Sequence, residues 1–229
     1  MAKGHEHDTE QLILSAAYEL FFTLGYKQTT IRKIIQKAGV KNGSLYHYYS
    51  SKDDIFRHLV SELLDICRQR TKELTGGSED PVLTYCVDTA LKLNVIATSP
   101  SICELFSEAF SSWDSMKDML SSSVTQDIQL FSAISPGLTL DECYMREVVS
   151  YGCLRGLTQA SYFQHIPYQK LIDYQLKTAL NLFGLEKEKI EWMIAQSIQL
   201  IEDSCKAPDC DIFEYARKKL QKRVDQWSL

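Results

Sequence analysis

Arg32 and Asn42 carry side chains shaped for reading base edges: a guanidinium gives two parallel hydrogen bonds to guanine, and a carboxamide pairs with adenine. Next to Asn42, Gly43 leaves room for close approach to a base or its methyl group, and Tyr46 offers a ring face and a hydroxyl. From Tyr26 to Lys52 the chain holds Lys27, Arg32, Lys33, Lys37, Lys41 and Lys52 and no Asp or Glu, although its formal net charge is -5. A cationic island in an acidic protein marks the end that meets an anion, and duplex DNA is a dense one.

Turn chemistry supplies the frame for these residues. Thr29 or Thr30 can cap a helix whose apolar stripe is Ile31, Ile34, Ile35 and Ala38, and Gly39 stands where the chain must leave that helix with positive φ. A short helix follows from about Asn42 to Tyr49. Helix, glycine turn and second helix with a polar, aromatic face predict a helix-turn-helix reader whose last helix presents its N-terminal end to the major groove. Ahead of it, Leu12/Ile13, Ala16/Ala17, Leu20/Phe21 and Leu24 predict a first helix, with Thr9 or Asp8 as N-cap and Gly25 as its stop. Behind it, Ser50 or Ser51 caps a long fourth helix with Lys52, Asp53 and Asp54 in its first turn. Its buried face is Ile55, Phe56, Leu59, Val60, Leu63, Leu64 and Cys67.

The stretch Thr75-Gly76-Gly77-Ser78-Glu79-Asp80-Pro81 is the clearest loop, and Pro81 can open the next helix. Beyond it, Pro100, Ser135-Pro136-Gly137, Pro167, Gly184 and Ala207-Pro208 cut the chain into helical segments with no alternating strand pattern, about ten helices in all. Two further helices are expected after Gly184. The cluster Arg217, Lys218, Lys219, Lys222 and Arg223 reads as the solvated face of a terminal helix.

The residues from Ile13 to Leu64 carry a resemblance. Ala16-Ala17, Leu20-Phe21, Gly25-Tyr26, Thr29-Thr30, Ile31, Ile34, Ala38-Gly39-Val40, Gly43, Leu45-Tyr46-His47-Tyr48-Tyr49 and Ser51-Lys52 stand as in the N-terminal domain of the TetR/AcrR family of transcriptional regulators. The likeness covers about the first quarter of the chain. It implies three DNA-binding helices joined by a fourth to a C-terminal domain that binds a small molecule and dimerises. Under it, Thr30, Lys41, Ser44, His47, Tyr48 and Lys52 are phosphate contacts, which position the reader without selecting sequence. Tyr49, where the family commonly has Phe, is expected in the core. Two departures stand out: Lys41 replaces a frequent Ser, so the third helix loses its usual cap and starts at Asn42, and Ser50 replaces a frequent Pro.

The expected fold class is therefore all-α: a three-helix helix-turn-helix DNA-binding domain over 1–52, a connecting helix over 52–74, and a larger helical ligand-binding and dimerisation domain over 75–229. Aromatic residues cluster in the last. Tyr85, Phe106, Phe110, Trp113, Phe131, Tyr151 and Gln159 are the candidate lining of a pocket for an apolar or aromatic effector, with polar help from Asp88, Asn94 or Glu104. Position in the family assigns the dimer helices to Thr139–Gln164 and Pro167–Phe183.

Composition narrows the function. A 229-residue chain with 45% hydrophobic and 24% charged residues has material for a sizeable core. No apolar run is long enough for a membrane helix and the start is no secretory signal, which predicts a cytoplasmic protein. The 7 cysteines are scattered and form no Cys-x-x-Cys pair, so buried thiols are expected rather than disulfides or a zinc ribbon. No nucleotide-binding glycine loop, nucleophile elbow or His-Glu-x-x-His helix is present, and an enzyme is not expected. His5-Glu6-His7-Asp8 reads as a disordered tail, and neither metal nor cofactor is expected. The function that remains is a homodimeric repressor released from double-stranded operator DNA by a small effector. The alternative is an activator or a ligand-independent architectural factor.

Overall fold

A computed structural model describes residues 2–78, 80–132 and 134–205. Within them are ten α-helices and no strand: α1 Ala2–Gln28, α2 Ile31–Ala38, α3 Asn42–Tyr48, α4 Lys52–Leu74, α5 Pro81–Thr98, α6 Pro100–Ser111, α7 Trp113–Phe131, α8 Leu140–Phe163, α9 Tyr168–Leu182 and α10 Lys187–Cys205. They fall into two units, one reaching to Ile66 and the other beginning at Cys67, so the division lies inside α4. The second helix expected after Gly184, with its Arg217–Arg223 basic cluster, and the Ala207-Pro208 break lie outside the described residues.

In the first unit, local signals set the elements. Thr30 caps α2, its hydroxyl accepting from the Lys33 amide at 3.3 Å, and Gly39 at φ 67 ends it in the left-handed region. Lys41 provides no side-chain cap for α3, which begins at Asn42 as the missing Ser implies. Ser51 caps α4 by accepting from the Asp54 amide at 3.1 Å. In place of a proline ring, the Ser50 amide and hydroxyl both donate to the Asp54 carboxylate. That arrangement holds Asp54 below the usual carboxylate range, the Ser50 hydroxyl being the main cause.

Two expectations about α1 need correction. The helix begins at Ala2 and not at Thr9, taking in His5–Asp8, so neither Asp8 nor Thr9 is its cap. Leu12 and Leu24 are exposed, while Leu14 and Tyr18 join Ile13, Ala16, Ala17 and Phe21 in the core. Gly25, at φ 76 and ψ 168, breaks the helix where a stop is expected, leaving only a short turn beyond it. In α4 it is Ile66 rather than Leu64 that is buried, since Ile66 lies closer to the axis of the Ile55–Leu59–Leu63 stripe.

The second unit is built around α5, which packs against α6, α7, α8, α9 and α10. Asp80 caps it, accepting from the amides of Val82 and Leu83 at 2.9 and 3.2 Å, with Pro81 in the first turn. Val82, Cys86, Val87, Ala90, Leu91 and Leu93 are buried on several sides of this helix, each larger one contributing about 1.5–3 kcal/mol. Phe131 and Phe183, both fully buried, stack at 3.6 Å with ring planes 6° apart. The α8 start is a capping box of Thr139 and Glu142. The break between α6 and α7 was not legible; Ser112 makes it, capping α7 through the Ser115 amide.

Cys67, Cys86, Cys103 and Cys143 are free and buried, and Cys153 is half-buried and free. Burial pushes the Cys67 thiol up to about 12 and the Cys143 thiol to about 11, so both stay protonated and unreactive. Cys205 and Cys210 lie outside the described side chains. No described helix is long and apolar enough to cross a membrane.

Candidate nucleic-acid interface

The reader is fastened from beneath. Ile34 of α2 and Leu45 of α3 are fully buried, and both helices pack on α1. Phe21, Tyr26 and Phe56 form an aromatic knot, with centroids 4.6 Å apart for Tyr26 and Phe56 and 5.6 Å for Phe21 and Phe56. Thr29, also buried, donates its hydroxyl to the Gly25 carbonyl at 2.8 Å and sets the exit from α1. Tyr49 is a core residue, as expected: it is buried, and its hydroxyl donates to Glu10 at 3.1 Å. Burial, and then the Glu10 charge, push its phenol well above the usual range.

What faces outward is the set singled out for base contact. Arg32, Asn42, Gly43 and Tyr46 are exposed, Tyr46 at 53%. A Cβ built at Gly43 meets nothing within 4 Å, so the space there is open. Among the proposed phosphate contacts, Thr30, Lys41 and His47 are exposed and Ser44, Tyr48 and Lys52 half-buried. His47 and Tyr48 meet edge to face at 5.0 Å.

The cations of this window divide in a way the sequence did not reveal. Lys33 donates to the Gln28 carbonyl at 2.9 Å, and Lys37 pairs with Glu19 at 2.6 Å. Lys52 donates to the Tyr26 carbonyl at 3.0 Å and lies 3.8 Å over the Tyr26 ring, so it ties the start of α4 to the end of α1. Tyr26 in turn donates to Asp53. The side chains of Arg32 and Lys41 make no hydrogen bond or ion pair among the described residues. Their donors are therefore available to an external partner at no cost of breaking an internal bond. Spacing along the chain carries no sign of this division, because Glu19 and Tyr26 reach these lysines from another helix.

The aromatic residues assigned to a pocket lie in the second unit. Tyr85 meets Phe131 edge on at 5.3 Å; Phe106 and Phe110 are 6.0 Å apart, and Phe110 and Tyr151 6.3 Å. Tyr151 shares a 2.8 Å hydrogen bond with Ser123, and Gln159 is half-buried. Trp113 is a correction: it is 81% exposed, because it is the first residue of α7 after the Ser112 cap and points out of the first turn. Beside the aromatics stand polar groups that the sequence reading mostly missed. Asp88 pairs with Lys92 and accepts from Thr71 at 3.3 Å, while Asp127 and Glu147 share a hydrogen bond. Gln175 donates to Ser150 at 3.0 Å. The available signal was Asp88 and Lys92 one turn apart within an otherwise uncharged helix.

The α8 and α9 helices differ in what they leave uncovered. On α8, Met145, Val149, Gly152, Gly156 and Phe163 form an exposed stripe at spacings of three, four and seven, with nothing within 4 Å of a Cβ built at either glycine. The wide apolar face of α9 is instead used internally: Leu171, Ile172, Leu176, Ala179 and Leu180 are buried in the unit's own core.

Residues 13–59 match the profile of "Bacterial regulatory proteins, tetR family". Over 74 residues the chain is 38% identical to the HTH-type transcriptional regulator HbdR of Aromatoleum, covering 32% of each protein. Over 70 residues it is 31% identical to the HTH-type transcriptional repressor KstR2 of Mycobacterium tuberculosis, covering 31% of this chain and 35% of the repressor. The chain thus matches about a third of the length of these curated relatives. Across the whole fold it is similar to the TetR regulator TylP of Streptomyces fradiae, with a TM-score of 0.54 at 17% identity over 87% of this chain and 94% of that one. A TetR-family regulator from Syntrophomonas wolfei aligns with a TM-score of 0.54 at 18% identity, over 80% and 98% of the two chains. Residues 13–59 thus carry the tetR-family profile, and along most of its length the chain shares the all-helical fold of solved TetR regulators.

Proposed function

We propose that the protein is a homodimeric transcriptional repressor that holds operator DNA through α2 and α3 and releases it when a small molecule enters the second unit. The observation that carries the DNA half is the outward set of Arg32, Lys41, Asn42, Gly43 and Tyr46 on a firmly packed base, with Arg32 and Lys41 uncommitted. Arg32 and Asn42 select bases with Gly43 and Tyr46 beside them, and Thr30, Lys41, Ser44, His47, Tyr48 and Lys52 hold phosphates. The repressor sense is supported by KstR2, a named repressor alike in the same region.

Energetics and the exposed α8 stripe both support the dimer reading. One short helix reads too few bases for useful selectivity, and a two-fold pair places two readers about one duplex turn apart. Small residues at Gly152 and Gly156 let a partner's helix approach closely. On this reading the DNA-binding domain is residues 1–52, α4 is the connector over 52–74, and residues 75–229 form the effector and dimer domain, working in the cytoplasm. Effector binding lowers operator affinity by the coupling free energy, about 1–3 kcal/mol in allosteric proteins.

The test is operator selection from random duplexes followed by anisotropy titration at two salt concentrations. A palindromic site with half-sites one turn apart is expected, bound by a dimer. Arg32→Ala is expected to cost about 1–3 kcal/mol there and relax one position, while Lys37→Ala changes little. A monomer with no preference among duplexes overturns the reading.

A further inference from the structure

Lys52 and Asp53 open α4 side by side with opposite charges, and both reach the same tyrosine. The Lys52 ammonium donates to the Tyr26 carbonyl at 3.0 Å and lies 3.8 Å over the Tyr26 ring, while the Tyr26 hydroxyl donates to the Asp53 carboxylate. One residue thus holds a cation at its face and an anion at its tip. The ring is itself fixed, with centroids 5.9 Å from Phe21 in a stacked pair and 4.6 Å from Phe56.

The position of this pair in the sequence gives the arrangement its meaning. Lys52 is the last cation of the acid-free window from Tyr26, and Asp53 is the first acid after it. Other acids of the first unit are held in two ways. Glu19 takes Lys37 and Asp54 takes Arg57, and each of those contacts uses up a cation. Glu10 takes the Tyr49 hydroxyl, and Asp54 also takes that of Ser50. A hydroxyl is neutral, so it satisfies a carboxylate and leaves every cation its charge. Asp53 is held in this second way, beside a lysine read as a phosphate contact.

We propose, on that reading of Lys52, that Tyr26 is a positioning residue for DNA binding: its carbonyl and ring aim the Lys52 ammonium, and its hydroxyl keeps Asp53 from pairing with it. Neither the carbonyl nor the ring cancels the ammonium's charge. A contact pair of Lys52 with Asp53 would have to break before a phosphate could take its place, and a lysine already held in one geometry loses less freedom on meeting the duplex.

The test is a mutant cycle, with a selected operator titrated by anisotropy over a range of salt and folding checked by circular dichroism. Tyr26→Phe keeps the ring and the carbonyl and removes only the hydroxyl. It is expected to weaken binding about two- to fivefold per reader, the strength of one exposed ion pair, and about tenfold for two readers. Adding Asp53→Asn is expected to bring affinity back to within about twofold. Lys52→Gln is expected to lower the slope of log affinity against log salt by about 0.9 per reader, and Tyr26→Phe to cost nothing more on that background. Undiminished binding by Tyr26→Phe overturns the proposal. A loss that survives Asp53→Asn, or failure of Tyr26→Phe to fold, gives the hydroxyl a structural role and overturns it equally. An unchanged salt slope for Lys52→Gln removes the phosphate contact and the positioning role with it, while leaving the other contacts of the reader standing. If the unaltered chain binds no duplex, the reading of the first unit falls and takes the proposal with it.

Discussion

The two units treat charge in opposite ways. In the first, every named cation of the Tyr26–Lys52 window lies at or near the surface, and the lysines that are tied down serve as fasteners between helices. In the second, Asp88, Lys92, Asp127 and Glu147 lie inward among tyrosines and phenylalanines. Surface charge is cheap and interchangeable, so the first unit can leave Arg32 and Lys41 unspent for a polyanion. Interior charge is costly unless it is paired, which sets these four ionisable groups apart from the surface cations.

The sharpest contrast comes from the cores. Phe131→Ala removes one half of the buried stack with Phe183 and is expected to cost about 3–5 kcal/mol, read as a lower denaturation midpoint of the second unit. Duplex binding by the first unit should outlast it at low denaturant; simultaneous loss of both would show that the units fold as one.

The pH dependence is next in size. Both members of the acid pair have folded values raised above their ordinary ones, so the folded state holds more protons than the unfolded state between about pH 4 and 9. Stability is therefore fully present below the unfolded values and falls as pH rises through about 6 and then about 9. The facing groups are Lys92, Asp88 and Tyr85 from α5 and Cys143 and Tyr151 from α8. Glu147→Gln is expected to flatten this slope, measured as urea midpoints from pH 5 to 9. An unchanged slope would remove the pair as its source.

Smaller effects probe the first unit. Thr30→Ala removes the α2 cap and is expected to cost about 1 kcal/mol of that unit's stability by urea titration. Lys41→Ala is expected to weaken all duplexes alike and lower the salt slope by about one per reader, whereas a change confined to one sequence would move Lys41 into the reading set. Lys37→Ala, losing only a surface pair with Glu19, is expected to cost less than about 1 kcal/mol in stability.

The first unit was more legible than the second because its determinants are local. Thr30, Gly39 and Ser51 act within a few residues, and each cap or turn lies where chain chemistry places it. Arg32, Asn42 and Tyr46 face outward for the same reason: the buried positions Ile34 and Leu45 orient short helices almost completely. The aromatic cluster was visible only as composition. Trp113 shows the limit, since nothing in its type says that Ser112 would begin a new helix and turn it to solvent. Met145, Val149 and Phe163 on α8 were equally ambiguous with the stripe of α9, which the unit consumes itself.

Residue order alone determined an all-helical chain, most of its breaks and a cationic window from Tyr26 to Lys52, because capping, glycine turns and helical periodicity act across one or two turns. Only tertiary structure decided which lysines are committed, which apolar helix face is left bare, and that Lys92, Asp127 and Glu147 are neighbours. Those outcomes depend on side chains brought together from α1, α5, α7 and α8 across many intervening residues, and the free energy of burying or pairing a charge is set by those distant neighbours.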